Sequence, residues 1–158
     1  MLAVAALAGC GDDDGGSSAG TVTTTTAPRL TVAGAAAAYA PIRAELVAIG
    51  RDLGSAVANA ARTTDAKLAD RFSALTVRAE AAAARLEALT APARLDTALD
   101  RLRTALADGA RDLRAVATAV RSDDAQAARE AAQRLVGDSA GIRQARAAVE
   151  RQLPPARG

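Results

Sequence analysis

The stretch LDTALDRLRTALADGARDLRAVATAV, residues 95–120, decides the fold of this chain. Its large apolar residues follow one another at steps of three and four, with one step of seven. This is the spacing of one helical face packed against other helices. Arginine, aspartate and threonine fill the intervening positions and suit a face turned to water. The large apolar residues are Leu95, Leu99, Leu102, Leu106, Leu113, Val116 and Val120.

The same spacing of apolar residues recurs in three further segments of the chain. It runs from Tyr39 to Val57, from Leu68 to Leu89 and, with smaller side chains, from Ala128 to Leu153. Strict alternation of apolar and polar residues, the pattern of a β-strand, is absent. We therefore expect an all-α fold with a four-helix bundle over residues 34–153 and a short tail at 154–158. One long helical hairpin folded against a partner chain is the alternative.

Breaks between the segments consist of residues that start or stop helices. Thr63-Thr64-Asp65 offers N-cap residues, and Thr90-Ala91-Pro92 separates the second segment from the third. In Ser122-Asp123-Asp124, Asp123 has capping-box spacing to Gln126. Because these connections are short, neighbouring helices should run antiparallel, in an up-down-up-down bundle.

Composition excludes several kinds of chemistry. The chain has 46 alanines, no histidine or tryptophan, and only one cysteine and one methionine. Metal, haem and nucleophile sites that need imidazole or thioether groups cannot form. The five glutamates do not gather on one apolar face, and Asp108 and Asp112 look exposed. Basic residues are interleaved with acidic ones, which does not suit nucleic acid. We expect no enzyme, no metal and no cofactor.

Glycines interrupt three of the helical segments. Gly50 and Gly54 in the first, and Gly137 and Gly141 in the fourth, have the G-x-x-x-G spacing that allows two backbones to approach closely. We interpret them as a tight contact between the first and fourth helices. A kink that lines a small pocket is the functional alternative. Gly109 interrupts the third segment.

The beginning of the chain carries a different signal. Residues 2–8 are continuously apolar, which is too short to span a membrane and fits the core of a signal peptide at residues 1–9. The four residues that end this run resemble the lipobox of bacterial lipoproteins. The resemblance implies that the cysteine thiol is diacylated and that the signal is cut between glycine and cysteine. These residues are Leu7, Ala8, Gly9 and Cys10.

No charge precedes the apolar run, although a signal peptide begins with a basic segment. A start codon assigned too late explains this departure. A soluble protein with a disordered apolar tip and a free thiol is the alternative to the lipoprotein interpretation.

Residues 10–33 are rich in glycine, aspartate and threonine and show no helical period. They bury too little apolar surface to offset the entropy of ordering, so we expect a disordered linker. Such a linker holds the bundle off the membrane without fixing its orientation. O-glycosylation of its threonines is a further possibility that the composition leaves open.

Together these patterns predict a lipoprotein held at the extracytoplasmic face of the cell membrane by acyl chains on Cys10. The bundle is similar in a general way to the alanine-rich helical domains of many lipoproteins of GC-rich bacteria, a likeness that implies no activity. We expect a non-catalytic interaction or scaffold module that meets another protein of the cell envelope. The alternative is a module that binds a small molecule or lipid in a groove between the first and fourth helices.

Overall fold

The computed structural model describes residues 28–154, which form four long helices. Helix α1 spans Val32–Ala58, α2 spans Asp65–Glu87, α3 spans Asp96–Arg121 and α4 spans Ala125–Gln152. Single turns of 3₁₀ helix at Ala60–Arg62 and Ala93–Leu95 lie in the first two connections. The all-α fold is confirmed, and no strand occurs within the described residues.

Helix α3 is the centre of the core. It packs extensively against both α2 and α4, whereas α1 packs mainly against α2. The leucine face that the sequence places on α3 is buried: Leu99 and Leu102 are 1% and 0% exposed. Burial of one such side chain contributes about 1.5–3 kcal/mol, so this face supplies much of the hydrophobic stabilisation. The backbones of α1 and α4 scarcely approach each other.

Ion pairs between helices show the antiparallel order. Arg78 of α2 donates from Nε to Glu45 and from Nη1 to Asp52, each at 2.7 Å. Between the last two helices, Arg94, just before α3, donates to the carbonyl oxygen of Gln152 at 3.1 Å. The end of α4 therefore lies beside the start of α3, as an up-down-up-down bundle requires.

Two helix N-termini are capped by side chains. Thr31 Oγ1 accepts from the Gly34 N–H at 3.1 Å, and Asp124 Oδ1 accepts from the Ala127 N–H at 2.9 Å. The predicted capping box at Asp123 is wrong by one residue, because Asp123 has a left-handed backbone with φ of 54° and precedes the cap.

The folded unit begins earlier than residue 34. The Leu30 N–H donates to the Thr90 carbonyl oxygen at 2.8 Å, and Arg29 pairs with Asp96 at 2.8 Å. These contacts fasten the last part of the predicted linker to the connection between α2 and α3. The predicted signal peptide (residues 1–9), the lipobox with Cys10 and most of the linker lie outside the described residues, as do residues 155–158 of the tail.

Candidate functional site

An apolar groove runs between α1 and α4. Its volume is about 300 Å³, at the lower end of the range for small-molecule sites. Because α1 and α4 do not close on each other, α3 forms the floor between them. Leu46, Ile49 and Leu53 line it from α1, Leu106 and Leu113 from α3, and Leu135 and Ile142 from α4.

Small residues keep the groove open. Gly50 forms part of the α1 wall, and a Cβ atom added there would meet nothing within 4 Å. Gly109 lies in the floor, where an added Cβ would stand 3.0 Å from the Cδ1 atom of Ile142. Absence of a side chain at Gly109 therefore leaves room for the end of the Ile142 side chain.

The predicted tight contact between α1 and α4 at the G-x-x-x-G pairs is wrong. A Cβ added at Gly50, Gly54, Gly137 or Gly141 would meet no atom within 4 Å. The spacing places two glycines on one side of a helix, but it does not determine whether that side faces another backbone. Gly137 and Gly141 instead line an open trough on the outer side of the α3–α4 pair.

One end of the groove is charged. Arg143 and Arg146 of α4 line it, and Arg146 Nε lies 3.4 Å from Glu150 Oε1. Arg43 of α1 approaches the same Glu150 oxygen at 3.3 Å. Glu150 thus links the two helices, although neither contact has hydrogen-bond geometry. Arg143 makes no ion pair with any of residues 28–154.

Tyr39 packs beside this charged end and is 2% exposed. Its hydroxyl group has no hydrogen-bond partner among the described residues. Burial and then the negative charge of Glu150 raise the pKa of Tyr39 to about 12, against the opposing charges of Arg146 and Arg43. The phenol therefore stays neutral throughout the physiological pH range.

A second polar cluster lies between α3 and α4. Asp112 is only 8% exposed, so the expectation that it faces water is wrong; Arg134 reaches across from α4 and donates to it at 3.2 Å. Burial, followed by a hydrogen bond with Asp112, raises the pKa of Asp138. Among the described residues, no group of three or more His, Cys, Asp and Glu side chains could hold a metal ion.

A larger depression of about 620 Å³ lies between α1 and α2, and its polar side chains other than Arg71 already make hydrogen bonds within residues 28–154. Arg78 bonds Asp52, and Arg62 donates to the Asn59 side chain at 2.8 Å. Arg71 and Ser55 stand at its open rim. The α1–α4 groove is the stronger candidate because it combines apolar walls with a charged end.

Helix α1 is long and apolar enough to cross a membrane, judged by length and composition alone. Its most apolar 18-residue window has a mean hydropathy of 1.4, and 28% of that window is buried in the bundle. A signal sequence or the core helix of a soluble protein passes the same test. The helix near the N-terminus is therefore compatible with a signal or a membrane anchor.

Comparison of the chain with family models, with curated proteins and with solved structures finds no match. Fold and site geometry define the chain as an all-α four-helix protein with an apolar groove between its first and last helices. Sequence reasoning named this groove as an alternative but missed the charged end. Arg146 and Glu150 have helical i,i+4 spacing, yet no sequence signal brings Arg43 and Tyr39 to them.

Proposed function

We propose that the protein is a non-catalytic, membrane-attached module that binds an apolar or amphipathic small molecule between α1 and α4. The observation that carries the proposal is the groove itself, which has a volume of about 300 Å³ and mostly apolar walls. Bound ligand would remove this apolar surface from water, which would stabilise the folded chain.

Attachment is proposed to occur through a diacylglyceryl group on Cys10, outside the cytoplasmic membrane. The lipobox resemblance at residues 7–10 supports this proposal. The energetics agree with it, because one acyl chain binds a bilayer only marginally, whereas two bind it firmly. The apolar α1 is the competing anchor.

Labelling with palmitate tests the attachment. The parent chain should incorporate label and remain with membranes after an alkaline carbonate wash, and Cys10→Ser should lose both properties. An unlabelled parent would refute lipidation. A Cys10→Ser chain that stays in the washed membranes would show that α1 holds the protein there.

Native mass spectrometry and binding of dodecanol test the groove. Gly50→Leu places a side chain at its wall, where the backbone has free space, and should abolish binding without unfolding the bundle. Gly137→Leu is the matched control, since it also replaces an uncrowded helical glycine but lies outside the groove. Equal binding by the two variants would contradict the proposed site.

A second candidate function is contact with another protein of the cell envelope. The observation that favours it is the outward side of α1, where Val57 is 59% exposed within a strongly apolar helix. Val57→Glu should then reduce recovery of the partner after cross-linking in whole cells. Val77→Glu on α2, where the valine is 64% exposed, is the control, and equal recovery from both variants would exclude this surface.

A further inference from the structure

The groove between α1 and α4 has two chemically different parts. Its lining is mostly apolar, with Ser139 among it, and the last two lining residues on α4 are Arg143 and Arg146. Because α1 and α4 run antiparallel, Arg43 in the first half of α1 lies beside Glu150 near the end of α4. The groove is therefore amphipathic along its length.

Its dimensions fit one alkyl chain. About 300 Å³ is twice the ~150 Å³ of a cavity that binds benzene, so there is room for about a dozen carbon atoms. On α4 the lining extends from Leu135 to Arg146, about 16 Å at the helical rise of 1.5 Å per residue. A lipid with two acyl chains would exceed this volume.

The charge at the polar end is positive. Arg143 and Arg146 line the groove, and Glu150 beside it is the carboxylate that approaches Arg146 and Arg43. Arg143 makes no ion pair within residues 28–154 and is exposed at the groove. Guanidinium groups bind carboxylates through paired, charge-assisted hydrogen bonds.

Buried polar atoms without partners mark the same place. Of the four buried polar atoms without a hydrogen bond in the described part of the chain, Tyr39 Oη, Arg146 Nε and Glu150 Oε1 lie together here, and Arg103 Nε lies elsewhere. Buried polar groups in folded proteins are nearly always paired, so a cluster of exceptions calls for an explanation. A carboxylate entering this end of the groove would accept from Arg146, which lines it, although it offers no donor to Glu150.

We infer that the groove takes a single-chain amphipathic anion, with its carboxylate at Arg143 and Arg146 and its alkyl chain directed toward Leu53 and Leu135. This inference rests on the proposed function, in which the groove is a ligand site. It adds the class of ligand and the direction in which the ligand lies.

Titration calorimetry on the full chain carrying Cys10→Ser, which keeps the protein free of acyl groups, tests the inference with three probes below their micelle concentrations. Dodecanoate, dodecanol and dodecyltrimethylammonium share one alkyl chain and differ in head-group charge. Dodecanoate should bind at one site per chain, more tightly than dodecanol by about fivefold or more, and the cation should bind least.

Arginine variants separate the head group from the chain. Arg143→Gln should weaken dodecanoate binding about fivefold, the upper end expected for an exposed ion pair, and leave dodecanol within twofold. Arg151→Gln, on the same helix but outside the groove, should change neither. Gly50→Leu should remove binding of both probes.

The outcomes distinguish failure of the anionic ligand class from failure of the groove as a ligand site. Equal binding of dodecanoate and dodecanol, unaffected by Arg143→Gln but lost in Gly50→Leu, would overturn the anionic ligand and leave the groove as a ligand site. Failure of all three probes to bind would refute the groove as a ligand site, and the inference with it.

Discussion

Replacing the four uncrowded glycines with alanine tests whether α1 and α4 pack closely. Each of Gly50, Gly54, Gly137 and Gly141 lies within a helix, and an added Cβ atom would meet nothing within 4 Å. Alanine in a helix interior is favoured over glycine by about 0.8–1 kcal/mol. Each single change should therefore raise the free energy of unfolding by about 0.5–1 kcal/mol, and the quadruple variant by about 2–4 kcal/mol.

Gly109→Ala, at a crowded glycine, is compared with the four variants at open positions. Its new Cβ would stand 3.0 Å from Ile142 Cδ1, so the gain in helix propensity is offset by the displacement of that side chain. We expect this variant to be at least about 1 kcal/mol less stable than the average of the four open positions.

Urea denaturation followed by circular dichroism gives these free energies, and thermal melts should show a rise of about 3–5 °C per kcal/mol for a unit of this size. A loss of stability in Gly50→Ala or Gly141→Ala would refute the open geometry. Such a loss would instead support the close contact between α1 and α4 that the G-x-x-x-G spacing predicts.

Three further perturbations probe the core and the two polar clusters. Leu102→Ala removes a fully buried side chain and should lower the free energy of unfolding by about 2.7–5 kcal/mol, measured in urea; a loss under 1 kcal/mol would contradict its place in the core. Burial and Asp112 raise the pKa of Asp138, so the folded state loses stability as pH rises above the ordinary carboxyl range. Asp138→Asn should therefore exceed the parent by up to about 1 kcal/mol at neutral pH and match it below about pH 3; the reverse pH dependence would refute this environment. Tyr39 is the single tyrosine and no tryptophan is present, so absorbance at alkaline pH reports on it alone. Its midpoint should fall near 12 in the folded protein, with stability decreasing as pH rises from 10 toward 12, and a midpoint near 10 with the fold intact would show an exposed phenol.

The helical spacing of apolar residues was enough to predict the fold, because it determines which of the large side chains are buried. Leu99, Leu102 and Leu106 are buried where the period places them. The period fails at Val57, which belongs to the predicted face of the first helix yet is 59% exposed. Val57 lies in the last turn of α1. The local sequence pattern does not show whether a neighbouring helix extends far enough to cover that turn.

The candidate site was predictable only in outline. A glycine in a helix, such as Gly50, is equally consistent with open space and with close contact to another backbone. The sequence alone does not distinguish the two. Tyr39 and Glu150 are separated by most of the bundle's sequence, and their meeting depends on the order of the helices and their relative shift. The burial of Asp112 does not show in the sequence, because its partner Arg134 comes from another helix.

The groove follows from the unequal distribution of large side chains among the helices. Helix α3 buries five leucine or valine side chains, and α2 and α4 both pack on it, whereas α4 buries two, Leu135 and Val149, beside Ala131 and Ala145. With α1 held mainly by α2, too few bulky side chains remain to close the seam between α1 and α4. A leucine at Gly50 would both fill this seam and favour the helix, and each effect would raise stability. Gly54, Gly137 and Gly141 forgo the gain in helix propensity as well, so what distinguishes Gly50 from them is its place in the wall of the groove. The open seam is therefore a consequence of how the large side chains are distributed, and Gly50 adds to it.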